Sequence, residues 1–128
     1  MGMDRTIEAG RLRFHAYYRS AGGDYGPAVE VFAHTAAGHW VEVVRYDCFA
    51  QDPHVHHFRA DGQEERIAYS GGITGSVAMA RGELADLSGV LTRIGYDDVA
   101  DAVADDELGA ALSTLDQELT AMIETPPR

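Results

Sequence analysis

The sequence predicts an α+β fold: an antiparallel meander of four to five strands over residues 6–70, covered by two to three helices over residues 76–123. Three observations carry this prediction. Apolar residues alternate with a period of two in "RLRFHAYYR", β-rich runs continue toward residue 70, and a helical period takes over beyond it. Pairs of turn-forming residues separate the early runs. The glycine-rich stretch "SGGITG" (70–75) stands where the period changes. A chain of 128 residues, 45% of them hydrophobic, can build one core, so a single domain is expected, closed by a short tail at 124–128.

The strand signals come in order. In "RLRFHAYYR", Leu12, Phe14, Ala16 and Tyr18 share one face, while Arg11, Arg13, His15, Tyr17 and Arg19 share the other. "SAGGDYGP" supplies Gly22, Gly23, Gly26 and Pro27 and reads as the end of that strand and a loop. "AVEVFAH" and "HWVEVVRYDCF" are β-rich runs joined by "TAAG", a hairpin. The second run mixes its faces, with Val41, Val43, Arg45, Asp47 and Phe49 against Trp40, Glu42, Val44, Tyr46 and Cys48. "HVHHFR" and "EERIAY" flank Asp61-Gly62, a favoured tight turn.

Helical spacing then takes over. Leu84, Leu87, Val90, Leu91 and Ile94 form one stripe that Gly95 can stop. "YDDVADAVADD" suits a short helix, and Leu108, Leu112, Leu115, Leu119 and Met122 mark a longer one that "TPPR" ends. The leucine stripe is expected to cover the sheet, which needs a partner on one face.

Composition excludes several function classes. The net charge is −11, with seven Arg against ten acidic residues in 1–66 and three against eleven in 67–128, so the second half carries −8. Such a field disfavours nonspecific nucleic-acid binding and anionic membranes. No apolar run approaches the roughly 18 residues of a membrane span, and "MGMDRTIEAG" lacks the flanks of a signal peptide, so a cytoplasmic protein is expected. All ten basic residues are arginines, the bias of a GC-rich bacterial genome. The lone Cys48 forms no internal disulfide and reads as a small core residue. "SGGITGS" lacks the Lys-Ser/Thr of a phosphate-binding loop. Arg11, Arg13 and Arg19 are expected to pair with the chain's own acidic helices.

Chemistry points to "PHVHHF" (53–58), which holds three of the six histidines. On an extended strand His54 and His56 project to one side, and Val55 and His57 to the other. A metal ion takes three or four protein ligands at about 2 Å, so the pair needs help. The expected metal ligands are His54, His56 and Asp52, a divalent metal being the cofactor such a set would hold; His15, His34, His39, Glu42 and Asp47 are the other available donors. For acid–base work, imidazoles titrating near neutrality make His54 and His56 the catalytic candidates, with Asp47 as the orienting carboxylate. A solvated strand surface is the plain alternative. The H-x-H pair resembles that of cupins, but no histidine follows His57, so the later half of that ligand set is absent.

"VEVVRYDCFAQDPHVHHFRADGQEERIAY" resembles small bacterial proteins of uncharacterised α+β families and, locally, TumE-type toxins, through Arg45, Tyr46, Asp47, His54, His56 and His57 over residues 40–70. That resemblance implies a compact toxin-like fold, an RNA-directed activity and a cognate partner; Arg45, Tyr46 and His57 are the expected binding residues. Two functions follow from the sequence. The first is a binding or interaction module whose histidine hairpin meets a second copy or a cognate protein. The alternative is an enzyme, a metal-dependent or histidine-based hydrolase or nuclease-like toxin, using His54 and His56.

Overall fold

A computed structural model describes residues 4–103 and 105–126; Met1 to Met3, Ala104 and the Pro127-Arg128 end of the expected tail lie outside the described residues. Six strands form one antiparallel meander in chain order: β1 (Asp4–Ala9), β2 (Leu12–Ala21), β3 (Asp24–His34), β4 (Trp40–Asp47), β5 (His54–Phe58) and β6 (Glu64–Ala68). Four helices follow: α1 (Gly72–Ala85), α2 (Leu87–Arg93), α3 (Asp97–Ala102) and α4 (Asp105–Glu124). The α+β class is as expected, with one strand and one helix more than the upper bound read from the sequence.

Each difference has a local cause. β1 carries only Ile7 and Ala9 as apolar inward residues, too few for a period, and forms by pairing along the edge of β2. The "SAGGDYGP" segment is a tight hairpin rather than a loop. Gly22 and Gly23 both hold positive φ (60° and 85°), which lets β2 run to Ala21 and β3 restart at Asp24. The stripe from Leu84 to Ile94 is broken at Asp86, whose non-helical backbone (φ −118°, ψ 39°) separates α1 from α2.

The helices cover one face of the sheet. Leu12, Phe14, Ala16, Val29, Val31, Val44, Tyr46 and Val55 point into a core closed by Val77, Ala80 and Leu84 of α1 and Leu115, Leu119 and Met122 of α4. α4 lies against β1, β2 and β3, so the leucine stripe is core. Of the three strand arginines, Arg11 reaches a helix, pairing with Asp98 at 2.9 Å; Arg13 stacks over Trp40 and Arg19 lies over Phe49.

The mixed faces of β4 are sorted by a bulge. The β3–β4 register slips by one residue between Val31 and Phe32, with Phe32 opposite Glu42 and Val31 opposite Val44. Val41, Val44 and Tyr46 therefore face the helices, whereas Glu42, Arg45 and Asp47 face the other way. Without that extra residue the core side of the strand would receive the charges.

Candidate functional site

β5 distributes its histidines to both faces of the sheet. On the face away from the helices, Asp47 lies directly opposite His54, and Arg45 lies opposite His56. The Asp47 Oδ2 atom is 3.0 Å from His54 Nε2 and 3.4 Å from His56 Nε2, and one ligand atom from each of the three residues falls within 4.8 Å of the others. Atoms bound to one transition-metal ion at roughly 2.0–2.2 Å stand roughly 3–3.5 Å apart, so the two Asp47 contacts have the spacing of neighbouring ligands.

Access to this cluster is narrow. The Asp47 side chain is 3% exposed, that of His54 10% and that of His56 16%. Aromatic rings flank it along the strand direction: Phe49 meets His54 edge-on at 5.9 Å, and Phe58 stacks on His56 at 5.8 Å. These rings shield the cluster on two sides, and low exposure strengthens the electrostatics inside. Asp47 Oδ1 is buried and has no hydrogen-bond partner among the described residues. An orphaned carboxylate oxygen in such a place is costly to leave unpaired.

The outer nitrogens of both rings are held. His54 Nδ1 is 2.8 Å from the carbonyl oxygen of Asp52 and 3.2 Å from Arg66 Nη2. A carbonyl only accepts and a guanidinium only donates, so the shorter contact makes Nδ1–H the donor. The Arg66 approach follows from its 2.7 Å bond to the Asp52 carboxylate. His56 Nδ1 lies 2.8 Å from Glu64 Oε2 and donates to it. With both Nδ1 atoms engaged as donors, each ring turns its Nε2 toward Asp47 Oδ2.

The loop between β4 and β5 is itself pinned. Asp24 accepts hydrogen bonds from the backbone N–H groups of Tyr25, Gln51 and Asp52, at 2.9, 3.0 and 2.8 Å; burial, the largest single influence, would raise its carboxyl, but these bonds together outweigh it and hold it below the usual range. Gly26 permits the close approach of that loop: a Cβ there would stand 2.2 Å from the Cys48 carbonyl oxygen. Asp52, an expected metal ligand, thus gives the cluster its backbone carbonyl while its carboxylate pairs with Arg66.

The other expected site residues divide between the faces. Arg45 is on the cluster's face, clamped on Glu42 at 2.7 and 3.0 Å. Tyr46 and His57 are on the helix face, where the Glu83 carboxylate of α1 gathers them: His57 Nε2 is 2.6 Å from Oε1, the Tyr46 hydroxyl donates to Oε1 at 3.0 Å, and the Tyr69 hydroxyl to Oε2 at 3.4 Å. Burial alone would raise the Glu83 carboxyl, but the His57 hydrogen bond and charge outweigh it and hold it below its ordinary value. Burial, then the Glu83 charge, pushes the Tyr46 hydroxyl well up. Burial pushes the Cys48 thiol up to about 12, which removes it as a nucleophile at neutral pH.

Sequence reasoning missed Glu64 and Glu83. Glu64 had a faint signal, since the Asp61-Gly62 turn places it opposite Phe58 and diagonal to His56. Glu83 had none, being an acidic residue beside the inward-facing Leu84.

Fold and cluster together define a helix-backed antiparallel meander with a two-histidine, one-carboxylate cluster on its open face. The chain belongs to the DUF7700 family, a domain of unknown function whose model matches residues 6–119. No curated protein and no solved structure matches the chain. The family match says nothing of TumE-type toxins, and the likeness to them stays confined to the residues that suggested it. No helix among the described residues is long and apolar enough to cross a membrane.

Proposed function

We propose that the protein binds one divalent transition-metal ion through Asp47, His54 and His56, and that the ion keeps coordination positions for water or substrate. The observation that carries this reading is the buried Asp47 carboxylate, with Oδ1 unpartnered and Oδ2 facing two imidazole Nε2 atoms whose Nδ1–H groups are already engaged. A cation would answer the buried carboxylate charge and the two inward-turned Nε2 atoms together. Two histidines and a carboxylate suit zinc, iron, cobalt, nickel or manganese. Three protein ligands are the complement of catalytic centres, whereas structural sites are closed by four. Zinc held by Asp47, His54 and His56 would lower the pKa of a bound water to about 7, the chemistry a hydrolase would use.

The test is elemental analysis of untagged protein, with calorimetric titration of zinc and cobalt into the chelator-treated chain. One equivalent of metal, lost in the His54→Ala, His56→Ala double variant, is the expected result. Wild-type protein that takes up no stoichiometric metal would sink the proposal.

A further inference from the structure

The two imidazoles of the cluster are supported unequally. His54 donates to a backbone carbonyl whose loop Asp24 ties down through three N–H groups. Its outer partner is neutral and cannot be removed by a side-chain change. His56 donates to a carboxylate, Glu64 Oε2, at 2.8 Å. That carboxylate stands at the first residue of β6, the strand at the edge of the sheet, and is 50% exposed. Phe58, stacked at 5.8 Å with an interplanar angle of 6°, fixes the plane of the His56 ring but not its rotation within that plane. Only the Glu64 bond sets which nitrogen faces Asp47.

We infer that Glu64 is a positioning residue for the metal centre: its carboxylate holds the His56 Nδ1–H, turns Nε2 inward as a ligand, and makes that nitrogen a stronger donor than its His54 counterpart. The inference rests on the metal reading of Asp47, His54 and His56. Its physical basis is general. An anionic acceptor on the far nitrogen of a ligating histidine fixes the tautomer and raises the ring's basicity, and loss of such a partner weakens metal binding about 10–100-fold. Because Glu64 belongs to the edge strand, metal affinity depends on the β5–β6 hairpin being closed, although no ligand comes from β6.

Glu65 provides an internal control. It neighbours Glu64, is 43% exposed, carries the same charge, and faces the helix side, 3.5 Å from His57 Nδ1. Zinc and cobalt affinities and the visible spectrum of the cobalt form are measured for wild type, Glu64→Gln, Glu64→Ala and Glu65→Gln in the full chain. Glu64→Gln keeps an acceptor but loses the charge, so its affinity falls about tenfold; Glu64→Ala loses both and falls toward a hundredfold, with altered cobalt bands. Glu65→Gln keeps wild-type affinity and spectrum, which excludes a mere change in net charge. All metal-free variants keep the wild-type melting temperature. If wild type binds one equivalent and Glu64→Ala binds as tightly with the same spectrum, the positioning role is overturned while the metal site stands. If wild type binds none, both readings fall.

Discussion

His56 and His57 are adjacent on β5 and share one strand, yet they sit in opposite chemistries. His57 points into the helix layer, where Glu83 meets it at 2.6 Å and also accepts from Tyr46 and Tyr69. The Glu83 charge there is answered by donors. His56 points to the open face, where its neighbours are a second imidazole and a carboxylate with one oxygen unpartnered. The first arrangement pairs the Glu83 carboxylate with three donors and ties α1 to the sheet, although His57 Nδ1 is itself buried without a hydrogen-bond partner among the described residues. The second leaves a buried carboxylate oxygen, Asp47 Oδ1, unpartnered beside two imidazoles. On the proposed metal reading, the same residue types serve stability on one face and a ligand on the other, and substitutions on the two faces should differ in sign.

The largest effect is expected on the helix face. Glu83→Ala leaves His57 and two tyrosine hydroxyls without their acceptor and should destabilise the protein by roughly 2–4 kcal/mol, measured by urea denaturation. Its pH dependence has a fixed direction. The Glu83 carboxyl is held below its ordinary 4.5, so its contribution is complete above that value and is lost as pH falls through the lowered folded value. Glu83→Gln should flatten the acid limb of the stability profile. An unchanged acid limb would mean that the pair with His57 does not form in solution.

Next in size is the effect of metal on the open face. Zinc or cobalt at 100 times its dissociation constant should stabilise the wild type by about 2.7 kcal/mol, seen as a rise in melting temperature that a chelator reverses. The His54→Ala, His56→Ala variant should show no rise, while Glu83→Gln should keep it, because Glu83 contacts the other face. A rise retained in the histidine variant would place the metal elsewhere.

Asp47→Asn should sharpen the contrast in sign. The amide N–H₂ can donate to an imidazole Nε2 and no charge remains buried, so the metal-free protein should gain roughly 0.5–1.5 kcal/mol while losing the metal-induced rise. Destabilisation on this substitution would show that His54 and His56 are already protonated partners of Asp47, a closed pair like that of His57.

How much of this was legible follows from where the signals lie. β2 was readable because its apolar residues alternate, β3 because it is a β-rich run, and β5 and β6 because they flank the Asp61-Gly62 turn. β4 was readable as a strand but not by face, since its phase changes at the bulge opposite Val31 and Phe32 and nothing in "HWVEVV" marks which residue is extra. That phase decides whether Asp47 meets the helices or the histidines. The pairing of Asp47 with His54 likewise depends on a loop whose length is consumed by the Asp24 hydrogen bonds, a contact between residues 27 and 28 positions apart. Asp52 seemed the nearer ligand because it is closer in sequence; in the fold its carboxylate is drawn off by Arg66, from a strand 14 residues later. Local pattern identified the histidines, and long-range pairing selected their carboxylate.

The smallest expected effect belongs to a third histidine, on the same open face but two strands away. His15 lies between Asp4, 2.7 Å from Nε2, and Glu30, 2.8 Å from Nδ1, and is 28% exposed. Partial burial alone would lower its pKa, yet the hydrogen bonds to Glu30 and Asp4 outweigh this and hold it above the ordinary 6.5. A raised folded value means that the protonated ring contributes stability below pH 6.5, and that this contribution is lost as pH rises through the folded pKa. Its size should stay below about 1 kcal/mol, as for other partly exposed pairs. The difference in stability between wild type and His15→Gln, followed by urea denaturation from pH 5.5 to 8.5 in chelator, should shrink toward high pH. A difference that is flat or grows with pH would remove the charged bridge between β1 and β3, and with it the idea that the open face carries a satisfied histidine as well as an unsatisfied cluster.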